Sequence, residues 1–247
     1  MKSLVTLFLT FVSGFMSTSM CPAATIGVNF GPTNSPNLSL APAESAGAAP
    51  FAQTNFNNIS ASAAAVVLKD NTGVITTATL TTSGVAGFSS NTLATNPDEK
   101  LNSGFAFRVG ADWSFTIDSI PYATYTILVY DLGRNPGDVK GITIGGTTFY
   151  TSSPNPVDPG YLDNNANTPY IYTASTSTNA ALPTPQSNYA IFSGLSGGSQ
   201  TVTVQGSFAR EVNGFQIIQV PEPSTCLMIS LALPLLLGTR RCSPRTI

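Results

Sequence analysis

The sequence predicts an all-β chain: an antiparallel, jelly-roll-like β-sandwich flanked by an N-terminal signal helix and a C-terminal hydrophobic helix. Three observations carry this. Short segments with an apolar residue at every second position recur through the middle of the chain, with β-branched and aromatic residues alternating with Thr, Ser and Gly. Gly (21) and Pro (18) punctuate the 247 residues too often for long helices. Between the two ends no segment sustains an apolar period of 3.6 residues, so the crossover helices of an α/β fold have no source. The limits that follow are 1–24 for a leader, 25–220 for the sandwich and 221–247 for a tail.

Met1 and Lys2 open the leader, an apolar run continues from Leu4 to Met16, and small residues close it at Cys21-Pro22-Ala23-Ala24. A positive start, a short apolar core and small residues at the cut are the pattern of a secretory signal peptide, with cleavage after Ala24 or Ala23. The run is shorter than the ~20 apolar residues of a membrane span. A lipoprotein site at Cys21 is the alternative, disfavoured by the bulky Met20.

In the body, strands are expected at Ile26–Phe30, Ala65–Leu68 and Val74–Thr82, with one helical turn near Asn55–Ser62. Phe105, Phe107 and Val109 share a face, as do Trp113, Phe115 and Ile117, and then Tyr125, Ile127 and Val129. That register makes Trp113 a core residue rather than a sugar-stacking platform. Gly145-Gly146 joins Lys140–Ile144 to Thr147–Thr151 as a two-residue hairpin. Tyr170–Thr173, Asn188–Phe192, Thr201–Val204 and Gly214–Ile217 complete the strands. The Pro- and Asx-rich stretches 151–167 and 175–187 read as long loops, where binding residues concentrate.

Charged residues make up 9% of the chain, about a third of the usual share, and the net charge is −2. There is no His, which excludes a Ser-His-Asp triad, a Cys-His dyad and every His-ligated metal site. All three Cys (21, 226 and 242) lie in the terminal segments, so 25–220 holds no disulfide and no thiol. That span carries six basic and 11 acidic residues, a net charge of −5. Without a basic patch, nucleic acid is not an expected partner.

Asp131, with Arg134 and Asp138 close by, falls at a strand end, as a solvated turn with a local salt bridge or as a polar ligand contact. Asp158, Asp163, Asn164 and Asn165 have the oxygens that Ca²⁺ takes, but Asx-rich turns need no metal, and no cofactor is expected. Glu44, Glu99 and Glu211 are the only Glu residues of the body, and their spacing brings no two together as a hydrolytic pair.

The tail is more specific. Pro221-Glu222-Pro223 precedes an uncharged apolar stretch carrying Leu227, Ile229, Leu231, Leu233, Leu235, Leu236 and Leu237, and Arg240 and Arg241 follow. The order of triplet, apolar helix and basic stop resembles the PEP-CTERM sorting signal over about the last 27 residues. The resemblance implies processing at the triplet by exosortase, a membrane-embedded transpeptidase. It also implies a transient inner-membrane anchor and delivery to the cell surface or extracellular matrix, in association with exopolysaccharide.

In the body, Ile120–Asp131, Asn188–Leu195 and Val212–Ile218 are similar to strands of galactose-binding-like and malectin-like sandwiches. The expectation is therefore an exported surface protein without catalysis of its own. A carbohydrate-binding module is the alternative, and a weak glycan-active enzyme the third reading.

Overall fold

The computed structural model describes residues 23–31, 36–89, 94, 96–163, 168–181, 186–206 and 209–221. The leader before Ala23, Asn164, Asn165, Glu222, Pro223, the apolar tail and Arg240 and Arg241 lie outside these residues. Among the described residues no helix is long and apolar enough to cross a membrane.

The strands are β1 (Thr25–Asn29), β2 (Asn57–Asn58), β3 (Val66–Lys69), β4 (Ile75–Thr82) and β5 (Ala86–Ser89). After helix α1 (Pro97–Ser103) come β6 (Gly104–Val109), β7 (Trp113–Asp118), β8 (Thr124–Tyr130), β9 (Val139–Ile144) and β10 (Thr147–Ser152). The last four are β11 (Tyr189–Ser196), β12 (Ser199–Gly206), β13 (Ala209–Val212) and β14 (Gly214–Gln219). They form a five-stranded sheet, β11-β8-β14-β1-β2, a six-stranded sheet, β10-β9-β12-β7-β4-β3, and a small sheet, β13-β6-β5. All pairings are antiparallel except the short β1–β2 contact.

The two large sheets face each other across one core. Ile26, Val28, Tyr125, Ile127, Val129, Phe215 and Ile217 enter it from the first, and Trp113, Phe115, Ile117, Ile142, Val202 and Val204 from the second. Period-two alternation puts each set on one face, and burying that face against its opposite is what holds a sandwich together. Phe115 stacks on Phe215 across the gap, with ring centroids 5.1 Å apart. Trp113 is buried in this core, as its register requires.

The outer face of the first sheet is also covered. Leu128, Tyr130, Tyr189 and Ile218 pack there against Leu40, Ala46, Ala48, Phe56 and Leu101. The predicted helical turn at Asn55–Ser62 is absent. The segment pairs with β1 through Asn57 and Asn58 instead, because both side-chain amides are engaged with neighbouring backbone. Among the described residues the one α-helix is α1, too short to show periodicity but capped by Asn96, whose Oδ1 accepts from Asp98 N–H, with Pro97 in the first turn. Tyr170–Thr173 forms no strand; isolated bridges, Ala174 to Tyr189 and Ser177 to Tyr150, follow it. In the small sheet Phe105 and Phe107 share a face, which lies under Arg134, while Ala106 and Val212 enter the main core.

Candidate functional site

The sandwich has two dissimilar poles. At the first, Thr25 pairs with Ile218, Gln219 N–H donates to Ala24 O (2.9 Å) and Val220 N–H to Thr124 O (3.0 Å). Ala24 and Val220 thus stand at the same end of the sheet. Beside them lies a groove of about 500 Å³, lined by Phe51, Gln53, Ile218, Val220 and Pro221 among others.

At the second pole, the far ends of β8 and β14, the long connections gather. The β8–β9 loop, the β10–β11 loop and the β13–β14 corner enclose a cluster of charge. Asp131, Lys140 and Glu211 are each fully buried. Arg134 donates to Glu211 twice, from Nε to Oε1 (3.2 Å) and from its main-chain N–H to Oε2 (3.1 Å). Lys140 Nζ stands 3.9 Å from the same Oε2 and donates to the main-chain oxygen of Asp131. Thr151 Oγ1 donates to Asp131 Oδ2, while Asp131 Oδ1 is buried without a hydrogen-bond partner. Burial pushes the Asp131 carboxyl up to about 6, against the pull of Lys140 and the Thr151 hydroxyl. The Arg134 guanidinium lies over Phe88 at 4.6 Å, and over Phe105 and Phe107 at 5.6 and 5.9 Å.

Asp131 is therefore not the solvated turn residue of the sequence reading. It does not pair with Arg134, whose partner is Glu211, and Asp138 instead accepts from Asn135 Nδ2 (3.0 Å). Asp131 and Glu211 both face Lys140, a convergence that the spacing of the Glu residues does not signal. One signal was readable: Lys140 stands in phase with Ile142 and Ile144, an inward register for a charge. Nothing local marks Glu211, which reaches the cluster only because β13 pairs with β6.

Asp158 and Asp163 are not drawn to Asp131. Asp158 accepts from Asn155 Nδ2 (2.8 Å) and Asp163 from Gly160 N–H (3.3 Å), closing local turns of one loop. Among the described residues no group of three acidic, His or Cys side chains is placed to hold a metal ion.

A second polar lattice pins the cover of the outer face. Asp98 Oδ1 accepts from Gly47 N–H (2.8 Å) and from the Tyr172 hydroxyl (2.9 Å), and burial raises its carboxyl. The Tyr130 hydroxyl, pushed well above the usual range by burial, donates to Gln216 Oε1 and accepts from Ala48 N–H (3.1 Å). Gln216 then donates to Phe51 O (2.8 Å) and Gln53 Oε1 (2.9 Å). These groups bond to one another and tie the covering segments to the sheet.

No protein-family model and no curated protein matches the chain. Solved structures similar to it include a calcium-binding mutant of Bacteroides uniformis beta-glucuronidase 2. That likeness has a TM-score of 0.35 at 12% identity, over 72% of this chain and 22% of that one. A family GH115 4-O-methyl-alpha-glucuronidase with specificity for decorated arabinogalactans follows, with a TM-score of 0.31 at 8% identity, over 55% and 16%. TmCBM61, in complex with beta-1,4-galactotriose, has a TM-score of 0.26 at 10% identity, over 57% and 83%. The chain spans less than a quarter of either glucuronidase.

Proposed function

We propose that the chain is an exported, non-catalytic β-sandwich, sorted by an exosortase-type enzyme at Pro221-Glu222-Pro223. Its place is the cell surface or the extracellular matrix, in association with exopolysaccharide. The observation that carries the reading is the separation of the poles. Leader and tail join the domain at one end, through the Thr25–Ile218 pairing, and the long loops lie at the other, roughly 20 Å away along the six residues of β14. A domain so built stands on its tail with its loops outward. Pro221 and Pro223 withhold N–H donors and favour extended backbone, which suits a processing enzyme in the membrane. The absence of catalysis is supported by the carboxylates of the loop pole, since Glu211 is bound twice by Arg134 and Asp131 is sealed from solvent.

Mass spectrometry of surface-released protein tests this. Mature molecules are expected to begin near Thr25 and to lack Arg240 and Arg241. Changing Pro221, Glu222 and Pro223 together to Ala is expected to leave the sandwich folded and to strand the protein in the cytoplasmic membrane. Released molecules that retain Arg240 and Arg241 overturn the reading.

A second reading, glycan binding at the loop pole, is favoured by Phe88, which is 44% exposed with the Arg134 guanidinium stacked on it. An aromatic face beside a cation suits a sugar ring bearing a carboxylate. A glycan array should then show acidic glycans retained, with retention lost in Phe88→Ala. An array without binders removes this reading.

A further inference from the structure

Asp131, Lys140 and Glu211 face inward, so their chemistry can act only on one another. We propose that Lys140 and Asp131 join in an intramolecular amide bond within the folded chain. Lys140 is the one buried cation among the described residues, and it is buried completely. Its Nζ already lies against Asp131, donating to that residue's main-chain oxygen. Asp131 follows the last residue of β8 in one sheet and Lys140 is the second residue of β9 in the other, so the two meet where the chain crosses the sandwich.

The two neighbouring carboxyl groups have opposite surroundings. Glu211 is held by Arg134 through both oxygens, and its Oε2 also faces the Lys140 ammonium. Asp131 has no cation in contact with its carboxyl oxygens. Its Oδ1 is buried and unpartnered, and the Thr151 hydroxyl polarises Oδ2. Both features favour the carboxylic acid, the form that an amine attacks, and burial holding this group up near 6 agrees with them.

The step balances as a condensation. The Lys140 ammonium passes one proton to Glu211, whose Oε2 stands 3.9 Å from Nζ. The freed lone pair attacks Asp131 Cγ and forms the Nζ–Cγ bond. A second N–H proton leaves with the Asp131 hydroxyl as water, breaking one Cγ–Oδ bond. One amide and one water form, the first proton stays on Glu211, and no oxidant or cofactor takes part. The link would tie one sheet to the other at the pole opposite the tail, in a span without any disulfide.

Tryptic mapping of the full chain, denatured before digestion, tests the proposal directly. Trypsin would otherwise release 109–134 and 135–140 as separate linear peptides. The expected result is no cleavage after Lys140, with 109–134 joined to 135–210 in a branched species one water lighter than the sum. Asp131→Ala should return both linear peptides. Glu211→Gln, shown by circular dichroism to be folded, should leave most of the chain unlinked. Recovery of linear 109–134 and 135–140 from the native protein overturns the proposal, whatever the variants do. Linkage in Glu211→Gln as complete as in the native chain overturns the proton transfer assigned to Glu211.

Discussion

Gly133 has no side chain because three polar groups occupy the place of one. A Cβ built there would stand 2.7 Å from Lys140 Nζ and 2.8 Å from both Glu211 Oε2 and Ser153 Oγ. Those atoms belong to the buried cluster, so they can make room only by loosening its hydrogen bonds and ion pair. Gly133→Ala is therefore expected to cost about 1–3 kcal/mol, read as a lower urea midpoint at unchanged slope. An unchanged midpoint would mean that the cluster yields. Asp98 gives a pH-dependent prediction. Burial raises its carboxyl in the folded state, so folding favours the protonated form. Its ionisation then works against the fold, and stability is lost as pH rises through the folded pKa. Compared with Asp98→Asn, which keeps an acceptor for Gly47 and Tyr172, the native chain should lose ground as pH rises from the ordinary carboxylate range through the raised folded-state pKa. A stability gap that is constant across that range would refute the assignment.

At the scale of elements, two small devices decide how strands meet. Gly145 and Gly146 both have positive φ, 57° and 83°, which fits the twist of the β9–β10 hairpin. Gly146→Ala should cost about 1 kcal/mol. Gly198→Ala, at a site with no left-handed requirement and open space around it, should cost almost nothing. Equal effects in thermal melts would discard the turn argument. Asn57 closes the seam between the two large sheets. Its Nδ2 donates to Gly27 O (2.9 Å) and Lys69 O (2.8 Å), and its Oδ1 accepts from Lys69 N–H (2.9 Å). It thereby joins β1 to β3 where no ladder does. Asn57→Ala removes all three bonds at a partly exposed place, an expected loss of about 1–2 kcal/mol. Hydrogen exchange at Lys69 should accelerate with it, and protection that survives the change would assign the seam to packing alone.

For the whole molecule, stability must come from two apolar layers without disulfides, because no Cys lies between Thr25 and Val220. Reductant is expected to leave the Tm of that span unchanged, and a shift of several degrees would reveal a covalent framework of another kind. The two layers also explain what the sequence showed poorly. Strands of the six-stranded sheet alternate clearly, as in Trp113–Asp118, since only one face is buried. In β8 the outward residues Leu128 and Tyr130 are buried as well, under Leu40, Phe56 and α1, so the pattern loses its contrast. Helix α1 was missed for its length and the Asn55–Ser62 turn was mistaken for helix. In both cases a few asparagine side-chain bonds outweigh periodicity.

Some properties of this chain follow from residue identity alone. Zero His, terminal Cys, the strand-period alternation and the Gly-Gly turn depend on nothing distant, and they exclude triads and disulfides and set the fold class. The polar constellation at the loop pole is of another kind. Asp131, Lys140 and Glu211 are separated by nine and 71 residues, and no spacing rule joins them. They meet because β8 crosses to β9 between the sheets and because β13 returns beside β6. The same crossing removes water from them. Burial and convergence are properties of the packed molecule, so only the tertiary structure could decide them.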